Sequence, residues 1–245
     1  MQGPLQYELH TVESIKSTNT ALKAWAKDGA KEGAVLVAHA QTNGRGRLNR
    51  MFFSPKGTGL YVSILLRPTI ILPPSALTCM SAVAVTDVIE SFDVPAAIKW
   101  VNDVYVEGKK AVGILTEGSV RPDGLYAYAV VGIGVNLFAP KEGFPESIRD
   151  TATAVFSGAP DTALRDAFLH RLVERFRFYY EALPALTFAD AYREKQCIYG
   201  RSILFQSRER MLRGTATGID DDFRLLVTAS DGQTYALDRG DVTIL

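Results

Sequence analysis

The stretch from Gly44 to Arg50, GRGRLNR, sets three arginines, Arg45, Arg47 and Arg50, on a backbone loosened by Gly44, Gly46 and Asn49. Guanidinium groups are planar and permanently charged, and they match phosphate or carboxylate oxygens two at a time. Glycine admits backbone angles and close approaches that a β-carbon forbids. Asparagine is the next most tolerant of left-handed geometry. The chemistry this combination suits is a loop that folds over a polyanionic ligand. A solvated basic surface loop is the plainer alternative, and a second cluster downstream weighs against it.

That cluster is KWVNDVYVEGKKAVGILTE, from Lys99 to Glu117. A lone lysine at the end of a buried strand, with Asn102 and Asp103 just beyond, is an uncommon arrangement. The amide and carboxylate could hold a metal ion or ligand hydroxyls while the ammonium meets a carboxylate or phosphate. Alternatively, Lys99 keeps a sheet edge soluble and Asn102-Asp103 is a turn. A third element, VGIGVN from Val131 to Asn136, places two glycines inside a strand. Such glycines mark the close approach of a ligand or of another backbone, or else a bulge. Ser17-Thr18-Asn19 reads as a helix cap, and Gln41 adds a polar group ahead of the arginine loop. His10, His39 and His170 lie in unrelated contexts, and His39 reads as packed in an apolar strand. No Ser/His/Asp order, nucleophile elbow or Walker-type phosphate loop is visible, so no covalent enzyme intermediate is suggested.

The elements that must position these residues follow from pattern. A short helix runs from Ser17 to Asp28 with Leu22 and Trp25 inward. Ala34–Ala40 and Gly59–Leu66 read as buried strands on either side of the arginine loop. Pro74–Phe92 is helical, with Pro at its start and an apolar face. Ala96–Trp100 and Asp103–Val106 are strand segments, Ala111–Glu117 follows a turn at Gly108, and Leu125–Asn136 is a long apolar strand. Ala139–Ala159 is loop. Leu164–Leu183 is an amphipathic helix stopped before Pro184, and Phe188–Lys195 is a shorter one. After Cys197 the pattern changes to period two, with turn signals at Asp220-Asp221-Asp222 and Asp231-Gly232. About five short strands fit there, the content of a small SH3-like barrel, which is too small to be strongly stable undocked. The expected architecture is α+β: a mixed-sheet domain with helices over residues 1–196 and a small β-domain over 197–245.

Composition narrows the classes further. Of 245 residues, Lys plus Arg equal Asp plus Glu at 27 each, so bulk charge gives no reason to expect nucleic acid or membrane as the main partner. Cys79 and Cys197 show neither metal-ligand spacing nor a disulfide framework. No apolar stretch is long enough to cross a bilayer, and MQGPLQYELH lacks the features of a secretory signal. A cytoplasmic, soluble protein is expected.

Taken in order, STN, a Gln before GRGRxxR, KWxND, GxL with a following Glu, and GxGxN resemble the biotin protein ligases, and the resemblance covers nearly the whole chain. It implies a catalytic domain like those of class II synthetases and lipoyl ligases with a C-terminal SH3-like domain. It also points to the short class lacking a DNA-binding helix-turn-helix, acting without DNA or membrane as monomer or homodimer. The implied reaction has two steps: biotin's carboxylate attacks the α-phosphorus of ATP, and the acyl group of biotinyl-5′-AMP then passes to a lysine of a biotin carboxyl carrier domain. ATP and Mg²⁺ are the implied cofactors, with the Mg²⁺ ligands left open. By analogy Lys99, Arg45 and Arg47 are catalytic, and Ser17, Thr18, Asn19, Gln41 and Gly46 join them around biotin. A neutral urea head wants hydroxyl and amide partners, which Ser17, Thr18 and Gln41 supply. Arg47, Arg50, Phe52, Asn102, Lys110 and Asn136 are placed near the nucleotide. Leu48, Asn49 and Val101 depart from the usual residues of the family motifs, and Phe52 stands where the family has a tryptophan near adenine. The rivals are a lipoate or octanoate ligase or transferase of the same fold, and an RNA-binding module built on the arginine loop.

Overall fold

The structure, a computed structural model, describes residues 5–207, 210–238, 240 and 242–245. Strands β1 (Glu8–Val12), β2 (Ala34–Ala38), β3 (Gly59–Leu66), β4 (Ala97–Lys99), β5 (Asp103–Val106), β6 (Lys109–Val120) and β7 (Tyr126–Asn136) form one mixed sheet in the order β1-β2-β3-β7-β6-β5-β4. All pairs are antiparallel except β1 with β2. Sequence pattern gave no warning of β1, whose half-exposed residues lack an apolar face.

β3 is buried along its whole length, because both faces of the sheet are covered. Helix α1 (Thr18–Lys27) lies on one face, where Leu22 and Ala26 pack on Leu36, Leu65 and Val130. Trp25, expected to point inward, is half-buried and meets His10 edge-on. Helices α2 (Ala76–Glu90) and α3 (Thr162–Glu181) cover the other face, and Phe168, Leu172 and Phe176 join a core that includes Val62, Ile64, Val131 and Ile133. Because side chains alternate along a strand, Tyr61 and Ser63 face the α1 side, as do Gly132, Gly134 and Asn136. Their neighbours in sequence fill the core.

Strands β8 (Ser202–Ser207), β9 (Arg210–Ile219), β10 (Leu225–Ala229), β11 (Thr234–Leu237) and β12 (Val242–Ile244) make a five-stranded antiparallel sheet, the small β-domain expected from the period-two pattern. Its turns are set by aspartates: Asp220 Oδ1 accepts from the Asp222 and Arg224 amides, and Asp231 Oδ1 accepts from Gln233 N. This sheet is docked on the first. Phe223 stacks on Phe188 and meets Tyr192 edge-on, next to the short helix α4 (Ala189–Glu194). Trp100 Nε1 donates to Phe223 O at 2.9 Å, and one apolar core runs through both sheets. Burial of this kind supplies what so small a sheet lacks by itself. No helix is long and apolar enough to cross a membrane among the described residues.

Candidate active site: a glycine-floored trough beneath an arginine loop

The floor of the site is written in strand register. Lys99 pairs with Asp103, Asp103 with Gly113, Gly113 with Gly134, and Gly134 with Tyr61, so one row of residues crosses five strands. The next row sets Leu115 beside Gly132 and Gly132 beside Ser63. Three glycines in neighbouring positions leave a trough on the α1 side of the sheet. A β-carbon at Gly132 would run into the Asn19 amide, and one at Gly134 would lie 2.5 Å from the Phe52 ring. The same ring lies 3.1 Å from a β-carbon built on Gly113. The strand glycines therefore make room for a side chain of α1 and for an aromatic ring carried on the arginine loop.

At one end of the trough stands the N-terminus of α1. Ser17 caps the helix, its Oγ accepting from Thr20 N. Ser17, Thr18 and Asn19 are all buried, yet their polar atoms are matched, as burial demands. Thr18 donates to Gln41 Oε1 from both its amide and its hydroxyl, and Gln41 Nε2 donates to Ser54 Oγ at 3.0 Å. Ser63 Oγ reaches both Thr18 Oγ1 and Asn19 Oδ1. Asn19 Nδ2 bridges Leu115 O and the Glu117 carboxylate. Fully satisfied networks of this sort are rigid. Ser63 was not foreseen, although a serine within the apolar run GLYVSILL was its signal.

The opposite end is the β4–β5 hairpin, with Lys99 and Asp103 paired across its mouth and a cis bond between Trp100 and Val101. Lys99 Nζ stands 5.8 Å from the Tyr105 ring centre, and Lys110 Nζ lies 2.7 Å from Asp103 Oδ1. Asn102 is pinned to β6 in both directions: its Nδ2 donates to Ile114 O, and its own carbonyl accepts from Ile114 N. Its remaining Oδ1 accepts from Arg47 Nη1 at 2.8 Å. Asn102 thus acts on the arginine loop as much as on the cavity.

The loop itself forms a tight hairpin over the trough. Arg45 bridges Met51, Gly46 N donates to Arg50 O, and Phe52 N donates to Gly44 O. A 3₁₀ turn at Arg47–Asn49 makes the tip, and the left-handed residue there is Leu48 (φ 53°). Gly46 is extended and needs no special angle, whereas a β-carbon on Gly44 would strike Phe52 O and Ser54 Oγ. Of the two expected uses of glycine here, close approach at Gly44 is the one realised. Arg47 Nη2 also donates to Gly240 O, so the loop touches the small β-domain between β11 and β12. Arg45 Nη1 donates to both oxygens of Glu117, which Lys23 also meets. Burial pushes the Glu117 carboxyl up, but the bonds from Lys23 and Asn19 and the charges of Lys23 and Arg45 outweigh it and hold it below the usual glutamate range.

Every residue that the resemblance assigns to catalysis, biotin or the nucleotide lines a single cavity of about 350 Å³: Ser17, Thr18 and Asn19 at the α1 N-terminus, Gln41, the loop residues Arg45, Gly46, Arg47, Arg50 and Phe52, and Lys99, Asn102, Lys110 and Asn136. The 139–159 segment, which has no helix or strand, closes one wall. Lys110 N donates to Thr151 O, and Asn136 Nδ2 donates to Thr153 O. His39 falls outside: it follows the end of β2 and meets Arg165 at 2.8 Å. A trough with cations on two sides and neutral donors and acceptors at one end can hold an anion beside a neutral polar head.

Comparisons with known proteins agree with this geometry. Residues 11–136 match the model of the "Biotin/lipoate A/B protein ligase family". The chain is 34% identical over 224 residues to the "Bifunctional ligase/repressor BirA" of Bacillus spizizenii, spanning 89% of this chain and 68% of that protein. It is 33% identical over 257 residues to the "Biotin--[acetyl-CoA-carboxylase] ligase" of Mycobacterium tuberculosis, covering 97% of this chain and 89% of that one. Among solved structures, the biotin protein ligase from Aquifex aeolicus in complex with biotin and ATP superposes with a TM-score of 0.79 at 27% identity, over 97% of this chain and 98% of that chain. The chain belongs to the biotin/lipoate A/B protein ligase family, and within it to the biotin protein ligases.

Proposed function

We infer that this chain is an ATP-dependent ligase that activates biotin as biotinyl-5′-AMP and transfers it to a lysine of a biotin carboxyl carrier domain. The observation that carries this reading is the meeting of the arginine loop and the Lys99 hairpin over one trough, whose far end offers uncharged hydroxyl and amide groups. The first step must bring an anionic nucleophile onto a polyanion. Fixed cations in a dry, shaped site are the strongest means of doing so. Lys99 is suited to meet biotin's carboxylate and the α-phosphate, and Arg47 to close over them from the loop, with Arg45 and Gly46 forming the loop's base. Ser17, Thr18, Asn19 and Gln41 are suited to the ureido head. Arg50, Phe52, Asn102, Lys110 and Asn136 surround the nucleotide end. The closed loop would also keep water from the mixed anhydride between the two steps.

Mg²⁺ is expected to arrive on ATP's phosphates, where it would neutralise charge on the leaving pyrophosphate. Among the described residues Asp103 is the acidic side chain lining the cavity, and it would have to share its carboxylate between Lys110, 2.7 Å away, and the ion. We assign residues 1–196 to catalysis and 197–245 to a β-domain that touches the loop through Gly240. The lipoate reading is disfavoured by relatives named as biotin ligases, one of them solved with biotin and ATP. The test is pyrophosphate release and acyl transfer to a carrier domain, with biotin, lipoate and octanoate offered separately. Biotin alone should support both steps, whereas release with lipoate and none with biotin would overturn the assignment.

A further inference from the structure

We propose that Glu117 is a positioning residue for this ligase: its carboxylate fixes Arg45, and with it the base of the arginine loop, against the N-terminal turn of α1. The proposal rests on the ligase reading above.

Alternation along β6 places Gly113, Leu115 and Glu117 on the trough side, so Glu117 stands at the end of the trough where α1 begins. Three side chains from two segments far from Glu117 in sequence, α1 and the arginine loop, meet on its two oxygens. Arg45 Nη1 donates at 3.0 and 3.2 Å, Lys23 Nζ at 2.5 Å and Asn19 Nδ2 at 3.1 Å. The Glu117 side chain is 19% exposed, against 35% for Arg45 and 27% for Lys23. Partial burial lifts such pairs above the near-zero worth of fully solvated ones.

Two consequences follow from the arrangement. Arg45 bridges Met51 on the returning arm of the loop, so whatever fixes Arg45 fixes both arms. Lys23 and Arg45 converge on one spot with like charge, and without a carboxylate between them they repel, which pushes the loop's base away from α1. Arg45 is therefore a structural cation whose charge is answered inside the protein. Arg47, Arg50, Lys99 and Lys110 are the other cations lining the cavity among the described residues.

The experiment uses the full chain with biotin and ATP, and measures the escape rate of biotinyl-adenylate in Glu117→Gln, Arg45→Gln, the double variant and Lys23→Met. Losing a charge-assisted bond of this kind should speed escape by about tenfold or more in each of the first two. Since Glu117 acts through Arg45, the double variant should be no worse than either single one. Lys23→Met leaves the Arg45 contact in place and should stay within about twofold of wild type. If Glu117→Gln fails to fold, Arg45→Lys carries the test, because an ammonium can still meet Glu117 and should retain adenylate better than Arg45→Gln. Unchanged escape in Glu117→Gln, additive losses in the double variant, or equal escape in Arg45→Lys and Arg45→Gln would overturn the proposal. A wild-type chain that forms no adenylate would instead refute the ligase reading.

Discussion

The amide of Asn19 fills the space that a β-carbon on residue 132 would need. Gly132 lies on the interior strand β7 and Asn19 in the first turn of α1, so the helix N-terminus is seated directly on the sheet. From that seat Asn19 holds Ser63 of β3 on one side and Leu115 and Glu117 of β6 on the other. The missing side chain on one strand therefore sets the height of the helix over three strands. It also sets the position of Ser17 and Thr18, which lead into it.

Gly132→Ala is accordingly expected to weaken biotin binding more than it weakens the fold. The new methyl displaces Asn19, whose buried partners then go unmet at a cost of about 1–3 kcal/mol. Biotin affinity should fall by at least about tenfold, with a smaller loss in thermal midpoint, because the mutation leaves the apolar face of β7 intact. Calorimetry with biotin alone measures this. Wild-type affinity in Gly132→Ala would mean that the α1 seat has no part in the binding end of the trough.

Lys99→Ala should leave folding untouched and remove most of the adenylation rate. Lys99 closes the short edge strand β4 and borders the cavity, so its truncation opens no core void. Loss of one preorganised charge contact in a transition state costs on the order of 3 kcal/mol, or roughly a hundredfold. Single-turnover pyrophosphate release at saturating biotin and ATP is the measurement. A rate within a few-fold of wild type would remove Lys99 from the chemistry.

Much of this was legible in the sequence, for identifiable reasons. The long apolar strands β3 and β7, the helix capped at Ser17 and the amphipathic α3 follow from periodicity and capping, and all four lie within a few residues of their expected bounds. The glycines of VGIGVN announced a close approach, but not by what; only the register of β7 against β6 and β3 shows that Asn19 and Phe52 are the visitors. The role of Asn102 was hidden for a similar reason. Its partner Arg47 lies 55 residues away, and a contact between two loops leaves no period to read. Ser63 and Lys23 were missed because each looks ordinary in its own segment, and becomes notable once the sheet brings α1, β3 and β6 together.

Asn102 offers a way to probe loop closure without touching an arginine. Its Oδ1 accepts from Arg47 at 2.8 Å, while its Nδ2 and carbonyl anchor it to β6. Asn102→Ala removes the bond to Arg47 and leaves the backbone anchor. A hydrogen bond to a charged group contributes about 1.5–3 kcal/mol, so adenylate should escape on the order of ten to a hundred times faster. The contact of Arg47 with Gly240 O would persist and set the lower end of that range. Escape at the wild-type rate would show that closure does not run through this asparagine.

The pH dependence of adenylate retention should report Glu117. The groups facing its carboxylate are the side chains of Lys23 and Arg45 and the neutral amide of Asn19. Burial raises the carboxyl, and those partners more than reverse it, so the folded protein holds it below its ordinary value. A group depressed in this way contributes its full stabilisation above the ordinary glutamate range and loses it as pH falls through the lowered folded value. Retention should therefore be flat through neutral and mildly acidic pH. Escape should quicken only once the medium is acidic enough to protonate Glu117 in place, and Glu117→Gln should be leaky at every pH with that acidic step missing. Escape rates of preformed adenylate between neutral and acidic pH would decide it. A step that persists unchanged in Glu117→Gln would assign the titration to another group.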